Sequence, residues 1–205
     1  MQVNVPNRIY SEPAWRIIAW QHLSYALSKS YLFITNSTVD TTQEWLVDTS
    51  KKYVIAANHI RPLDPFVITT ALGWKRLRPM LPCRFITAPK FLTNPFMRTL
   101  LRQLGSYPSH SFKDWAYGIE ASTELLSQKN TIVIFPQGKM TTNPEYPAKR
   151  GISVLASQSN TLIVPIYIKK KTSLLKGYRI IVGEPFNGSA KTAEEITKCI
   201  YSLDK

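Results

Sequence analysis

The sequence predicts a single α/β domain, a mixed and largely buried sheet flanked by helices, preceded by an amphipathic helical segment. Short apolar runs alternate with helix-like segments from about residue 51 to the C-terminus, the pattern of strands and covering helices. Most of these runs are short and continuously apolar, as strands covered on both faces tend to be. The length of 205 residues with 44% apolar content suffices for one sizeable core, without repeats, low-complexity tracts or need for a second domain.

Residues 13–34 form the first element. Ile17, Trp20, Leu23, Leu27, Tyr31 and Ile34 recur at threes and fours, a helical stripe, while Arg16, Gln21, Ser28 and Lys29 lie mostly elsewhere. A charge at the centre of a span costs about 2.5–3.5 kcal/mol, so Arg16 and Lys29 disfavour crossing a bilayer. The stripe packs on the protein's own core or lies along a membrane interface; Trp15 and Trp20 favour the interface. Residues 1–40 are therefore set apart from 41–205 as a helical segment.

A polar link spans residues 35–49. Strands are then expected at 53–57, 84–88, 131–135, 162–168 and 179–182, and helices at 65–73, 95–104, 112–129, 150–157 and 193–203. Several helix starts are readable, among them Asn94-Pro95 and Ser111 three positions before Asp114. Alternation alone does not fix strand order, and a mixed sheet is expected.

Charge and cysteines narrow the function. Lys and Arg total 26 against 13 Asp and Glu, a formal charge of +13 that favours anionic partners such as phosphorylated metabolites or an anionic membrane surface. These residues are spread along the chain without a zinc-finger spacing, an aromatic RNA-binding signature or a basic tail, so nucleic acid is not expected as a partner. Cys83 and Cys199 are far apart, which suggests neither a disulfide scaffold nor a metal site and fits a reducing compartment. The N-terminus lacks the features of a secretory signal, and export is not expected.

The candidate chemistry sits at Asn58-His59-Ile60-Arg61 followed by Pro62-Leu63-Asp64-Pro65. An imidazole titrates near neutral pH and can take a proton from a hydroxyl when a carboxylate fixes its tautomer. Five positions on an ideal helix is a rotation of about 140°, which would part His59 from Asp64. Pro62 pushes Arg61 toward an extended backbone, and Asp64-Pro65 reads as an N-cap and first helical position, so a strand-to-helix loop can fold the histidine back onto the aspartate. Singly, each residue has a plain structural use, Asp64 as a cap and His59 as a satisfied polar group. Farther on, Pro136-Gln137-Gly138-Lys139 makes a turn that brings backbone N–H groups and a cation toward an anion.

In order, the chain shows Asn-His-x4-Asp at 58–64, Leu104-Gly105 followed by Pro108, Phe135-Pro136-Gln137-Gly138, and Ile163-Val164-Pro165-Ile166. This series resembles the four sequence blocks of the glycerolipid acyltransferases, the lysophosphatidate acyltransferase family, over about residues 51–168. Lys90 in Ala88-Pro89-Lys90-Phe91, and Lys149-Arg150-Gly151, are similar to the family's intervening positions.

The resemblance implies transfer of a fatty acyl group from a coenzyme A or acyl-carrier-protein thioester, a co-substrate rather than a cofactor, to a hydroxyl of a lysophospholipid-like acceptor in phospholipid biosynthesis. It implies catalysis by His59 as general base and Asp64 as its orienting carboxylate, with Asn58, Arg61, Lys90, Gln137, Gly138, Lys139 and Lys149 on the substrates and no metal. A thioester is already activated, so no covalent enzyme intermediate is needed. The oxyanion would be met by backbone N–H groups near Gly138 or the Pro65 helix start. The implied location is the cytoplasmic side of a membrane, peripheral or monotopic, and 41–205 becomes the acyltransferase domain.

Two departures stand out. The family's third block usually reads Phe-Pro-Glu-Gly with an arginine shortly after; here Gln137 replaces the acid, Lys139 follows and Met140 takes the arginine's place. The second block usually ends in a phosphate-gripping arginine, where this chain has Ser106-Tyr107-Pro108-Ser109-His110-Ser111. A neutral side chain cannot fully replace a bidentate guanidinium, which leaves the acceptor headgroup open. The competing expectation is a catalytically inactive relative that binds lysolipids or anionic membranes.

Overall fold

The structure, a computed structural model, describes residues 12–110, 116–171 and 177–204. Its centre is an eight-stranded sheet in the order β1 (Thr38–Thr41), β7 (Tyr178–Val182), β6 (Leu162–Lys170), β2 (Tyr53–Ala57), β5 (Thr131–Ile134), β3 (Cys83–Thr87), β4 (Ser106–Pro108), with β8 (Phe186–Asn187) also paired to β6. Strands β6, β2, β5, β3 and β4 run parallel, whereas β7 and β8 are antiparallel to β6, so the sheet is mixed.

Strands β2 and β5 are buried at every position, because their continuous apolar runs leave nothing to solvate. The two-residue period of β2 sends Ile55 into one apolar layer and Val54 and Ala56 into the other. The first layer holds Val67 and Ile68 of helix α2 (Asp64–Ala71) and Leu32 of α1 (Ala14–Ile34). The second holds Leu125 of α5 (Tyr117–Ser127), Leu155 of α6 (Gly151–Ser159) and Ile196 of α7 (Ala193–Tyr201).

Several elements differ from the sequence reading. The 35–49 link contains β1, an edge strand whose first three residues are exposed; with no buried face it carries no apolar pattern. Strands β4 and β8, only three and two residues long, are missed for the same lack of pattern. Helix α2 ends where Gly73 adopts a left-handed φ of +72°, and a short helix, α3 (Gly73–Leu77), follows. Helix α4 (Pro95–Gln103) starts as read, with Asn94 Oδ1 accepting the Met97 N–H at 3.1 Å. Helix α5 is described from Tyr117; residues 112–115, and the expected Ser111 cap, lie outside the described residues.

Helix α1 divides its stripe. Ile17 is buried while Trp20, Leu23, Leu27 and Ile34 are exposed, as are Trp15 and Phe33 off the stripe. Gln21 faces inward instead, donating to the Cys83 and Leu104 carbonyls and accepting the Cys83 N–H, which satisfies its buried amide. Among the described residues no helix is long and apolar enough to cross a membrane.

Candidate active site

The parallel strands end on one edge of the sheet, where loops gather in open α/β architectures. The chain leaves β2 into residues 58–63, β5 into 135–149 and β3 into the single turn Pro89–Leu92. Two of the four sequence blocks, residues 58–64 and 135–138, thereby meet.

The loop after β2 brings His59 back onto Asp64, with Nδ1 at 2.8 Å from Oδ2. Asp64 is not the cap expected from the sequence. Leu63 takes the N-cap place and Asp64 is the first helical residue, its carboxylate turned back toward the loop. There Oδ2 accepts the Ile60 and Arg61 N–H groups at 2.5 and 2.7 Å. An oxygen taking three N–H donors is a carboxylate acceptor, so Nδ1 carries a proton, and in the neutral imidazole Nε2 is the nitrogen that keeps its lone pair. Asp64 is fully buried, whereas the His59 side chain is 18% exposed, enough to meet a substrate. The imidazole lies flat on Phe135, ring centroids 4.1 Å apart, which fixes its plane from the neighbouring strand.

Asn58, expected at the substrate, is buried and spent on the scaffold. Its amide donates to the Ile168 carbonyl and accepts the Ile168 N–H, both at 2.8 Å, adding a rung between the end of β2 and β6. This pins the residue next to His59.

The loop after β5 is tethered to the same corner, since the Thr141 N–H donates to the His59 carbonyl at 2.7 Å. Gln137 is also buried rather than presented to a ligand. Its Nε2 donates to the Asn143 and Tyr146 carbonyls at 3.0 and 3.1 Å, and its Oε1 accepts the Tyr201 hydroxyl at 3.0 Å. That pattern requires two donors and one acceptor on a single side chain; an amide supplies them and a carboxylate does not. The departure from glutamate therefore has a local cause. Burial raises the Tyr201 proton affinity against the opposing Gln137 hydrogen bond, which keeps the phenol a donor.

Gly138 has φ +67°, and a Cβ there would meet the Lys149 side chain at 2.7–2.9 Å, so glycine lets Lys149 lie across the turn. Lys139 sits 3.6 Å above the Tyr146 ring centroid. The two lysines thus share one exposed loop beside His59. Lys90 stands apart, exposed after β3 with Nζ 5.1 Å from the Phe91 ring. Arg61 turns the other way, its guanidinium carbon 4.6 Å over the Tyr178 ring of β7. Tyr178 and Tyr201 had no signal in the sequence, because neither lies near a motif.

The second block is largely structural as far as it is described. The buried Tyr107 hydroxyl pairs with Ser122 Oγ at 2.7 Å, and His110 Nδ1 lies 3.0 Å from Ser109 Oγ. Burial pushes the Cys83 thiol up to about 12, which leaves it inert as a nucleophile.

Helices α1, α2 and α4 enclose an apolar groove of about 300 Å³, lined among others by Trp20, Leu27, Leu63, Phe66 and Leu100. Leu63 and Phe66 flank Asp64 in sequence, so the groove adjoins the start of the helix that carries the carboxylate.

The chain was compared with known proteins. The Acyltransferase family profile matches residues 38–169, well over half of the sequence. No curated protein matches significantly. Among solved structures, the 1-acyl-sn-glycerophosphate (LPA) acyltransferase PlsC from Thermotoga maritima is similar, with a TM-score of 0.65 at 15% identity over 91% of this chain and 77% of that one. At that identity the likeness speaks for the fold, which is the single α/β domain expected. The family match decides membership: this chain belongs to the Acyltransferase family.

Proposed function

We propose that the protein transfers a fatty acyl group from an acyl thioester, of coenzyme A or acyl carrier protein, to a hydroxyl of a lysophospholipid-like acceptor in phospholipid biosynthesis. The observation that carries this is the 2.8 Å pairing of His59 Nδ1 with the buried Asp64. It leaves Nε2 as base: the acceptor hydroxyl gives its proton to Nε2 as its oxygen forms a bond to the thioester carbonyl carbon. The tetrahedral oxyanion then collapses, the carbon–sulfur bond breaks, and the imidazolium returns the proton to the departing thiolate. Asp64 holds the imidazolium throughout, as the carboxylate does in a triad.

The groove beside α2 suits the acyl chain, since it is apolar and adjoins the catalytic helix. Lys139 and Lys149 supply positive charge on the loop tethered to His59, the side expected for a phosphate of donor or acceptor. The protein rests peripherally on a membrane through the exposed Trp15, Trp20 and Leu27 of α1 and Phe96 of α4, with the cytoplasmic face as the proposed side. Trp20→Glu should weaken liposome flotation; undiminished flotation would remove α1 from the interface.

The functional test is a mass-spectrometric screen of lysolipid acceptors with acyl-coenzyme A and acyl carrier protein donors. Wild type should convert at least one acceptor and His59→Ala none. Equal conversion by both proteins contradicts the assignment.

A further inference from the structure

The contacts of Asp64 account for only one of its oxygens. Oδ2 takes the His59, Ile60 and Arg61 donors. Oδ1 is buried and has no partner at hydrogen-bond distance among the described residues. A buried carboxylate oxygen without a donor is costly. One other orphan matches it. The Tyr178 hydroxyl at the start of β7 is likewise buried without a partner among the described residues.

The two groups are near enough to interact. Burial raises the Tyr178 proton affinity most, the Asp64 charge raises it further, and Arg61 opposes both. Arg61 also links the pair physically, because its N–H donates to Asp64 Oδ2 while its guanidinium lies 4.6 Å over the Tyr178 ring. A cation on the ring face draws electron density from the phenol and makes its O–H a better donor. The ring itself is fixed by burial and by the Tyr178 N–H bond to Ser37 Oγ at 2.9 Å.

We propose that Tyr178 is a positioning residue of the catalytic pair, donating its hydroxyl proton to Asp64 Oδ1 as the site tightens around substrate and so locking the carboxylate that orients His59. Hydrogen bonds of catalytic groups are commonly long without substrate and shorten in the reacting complex. The proposal rests on the acyltransferase reading of His59 and Asp64, and it extends that site to β7, on the far side of β6 from β2.

Tyr178→Phe keeps the ring, its packing and the Arg61 stack while removing one hydroxyl. It should lower kcat by about 10-fold, the scale of one hydrogen bond to a charged group, with KM nearly unchanged. In an Asp64→Asn background the same change should cause no further loss; an equal loss there would assign the hydroxyl to packing and overturn the proposal. Proton NMR gives a reading that needs no turnover. The downfield His59 Nδ1 proton should shift or broaden in folded Tyr178→Phe, and an unchanged resonance overturns the proposal. In the wild type, the Tyr178 hydroxyl proton should exchange slowly on saturation with a lysolipid acceptor and a non-transferable acyl-coenzyme A thioether; rapid exchange overturns the proposal even if the variant does not fold. A protein that converts no acceptor yet shows these NMR signatures would sink the acyltransferase reading and leave the Tyr178 contact standing.

Discussion

The corner at residues 58–64 and the loop at 136–149 touch through one hydrogen bond, Thr141 N–H to the His59 carbonyl, yet they are built on opposite plans. The corner buries a charge and surrounds it with N–H donors, leaving an imidazole edge partly exposed. The loop buries a neutral amide and carries its charges outside, on Lys139, Glu145 and Lys149. On the proposed function, chemistry is held in the corner and recognition rides on a loop whose interior is pinned by Gln137. The two regions should fail in different ways when perturbed.

The largest effect is expected in the corner. Asp64→Asn keeps the volume but loses the charge and favours the wrong imidazole tautomer, so kcat should fall about 10²–10⁴-fold, the range of a positioned base. If steady-state kinetics show less than a tenfold loss, the corner does not do the chemistry.

Next comes the loop interior. Gln137→Glu would restore the residue usual at this block, yet a carboxylate cannot donate to the Asn143 and Tyr146 carbonyls and would be buried against them. The cost should be about 1–3 kcal/mol, read as a lower denaturant midpoint. A variant as stable as wild type would mean that the amide is not what organises the loop. Outside the loop, Lys149→Ala should raise KM by about two- to fivefold and leave kcat alone, as befits an exposed cation. A drop in kcat instead would move Lys149 to the reacting atoms.

The smallest effect lies at the start of α7. Glu195 accepts the Thr192 N–H in a capping box, which holds its carboxyl below the usual range. A depressed carboxylate contributes stability that is full above its unfolded value and is lost as pH falls through the lowered one. Glu195→Gln should therefore flatten the acid side of the stability curve and leave activity near neutral pH unchanged. Urea melts across that range check it, and an unaltered acid limb would contradict the cap.

Much of this was legible in the sequence. The continuous apolar runs gave β2 and β5 because burial on both faces leaves a one-letter signature, and the two prolines around Asp64 foretold that His59 would fold back. The role of Asp64 is only partly legible there, since a cap and a first-turn carboxylate facing backward share the same Asp-Pro spelling. Asn58 and Gln137 looked like ligand contacts but are scaffold, because an amide reads alike whether it faces a substrate or a backbone carbonyl. Tyr178 was invisible, as its link to Asp64 depends on the antiparallel pairing of β6 with β7, and tertiary pairing of that kind leaves no local trace. Strand β1 was hidden by exposure, which removes the need for apolar residues.

The central claim, that His59 is the base of a thioester-dependent acyl transfer, is tested most directly by free-thiol release from acyl-coenzyme A in the presence of lysolipid vesicles. Wild type should release thiol in step with acylated product, while His59→Ala binds the same vesicles and releases none above the uncatalysed rate. Acceptor-dependent thiol release by His59→Ala at the wild-type rate would contradict the account.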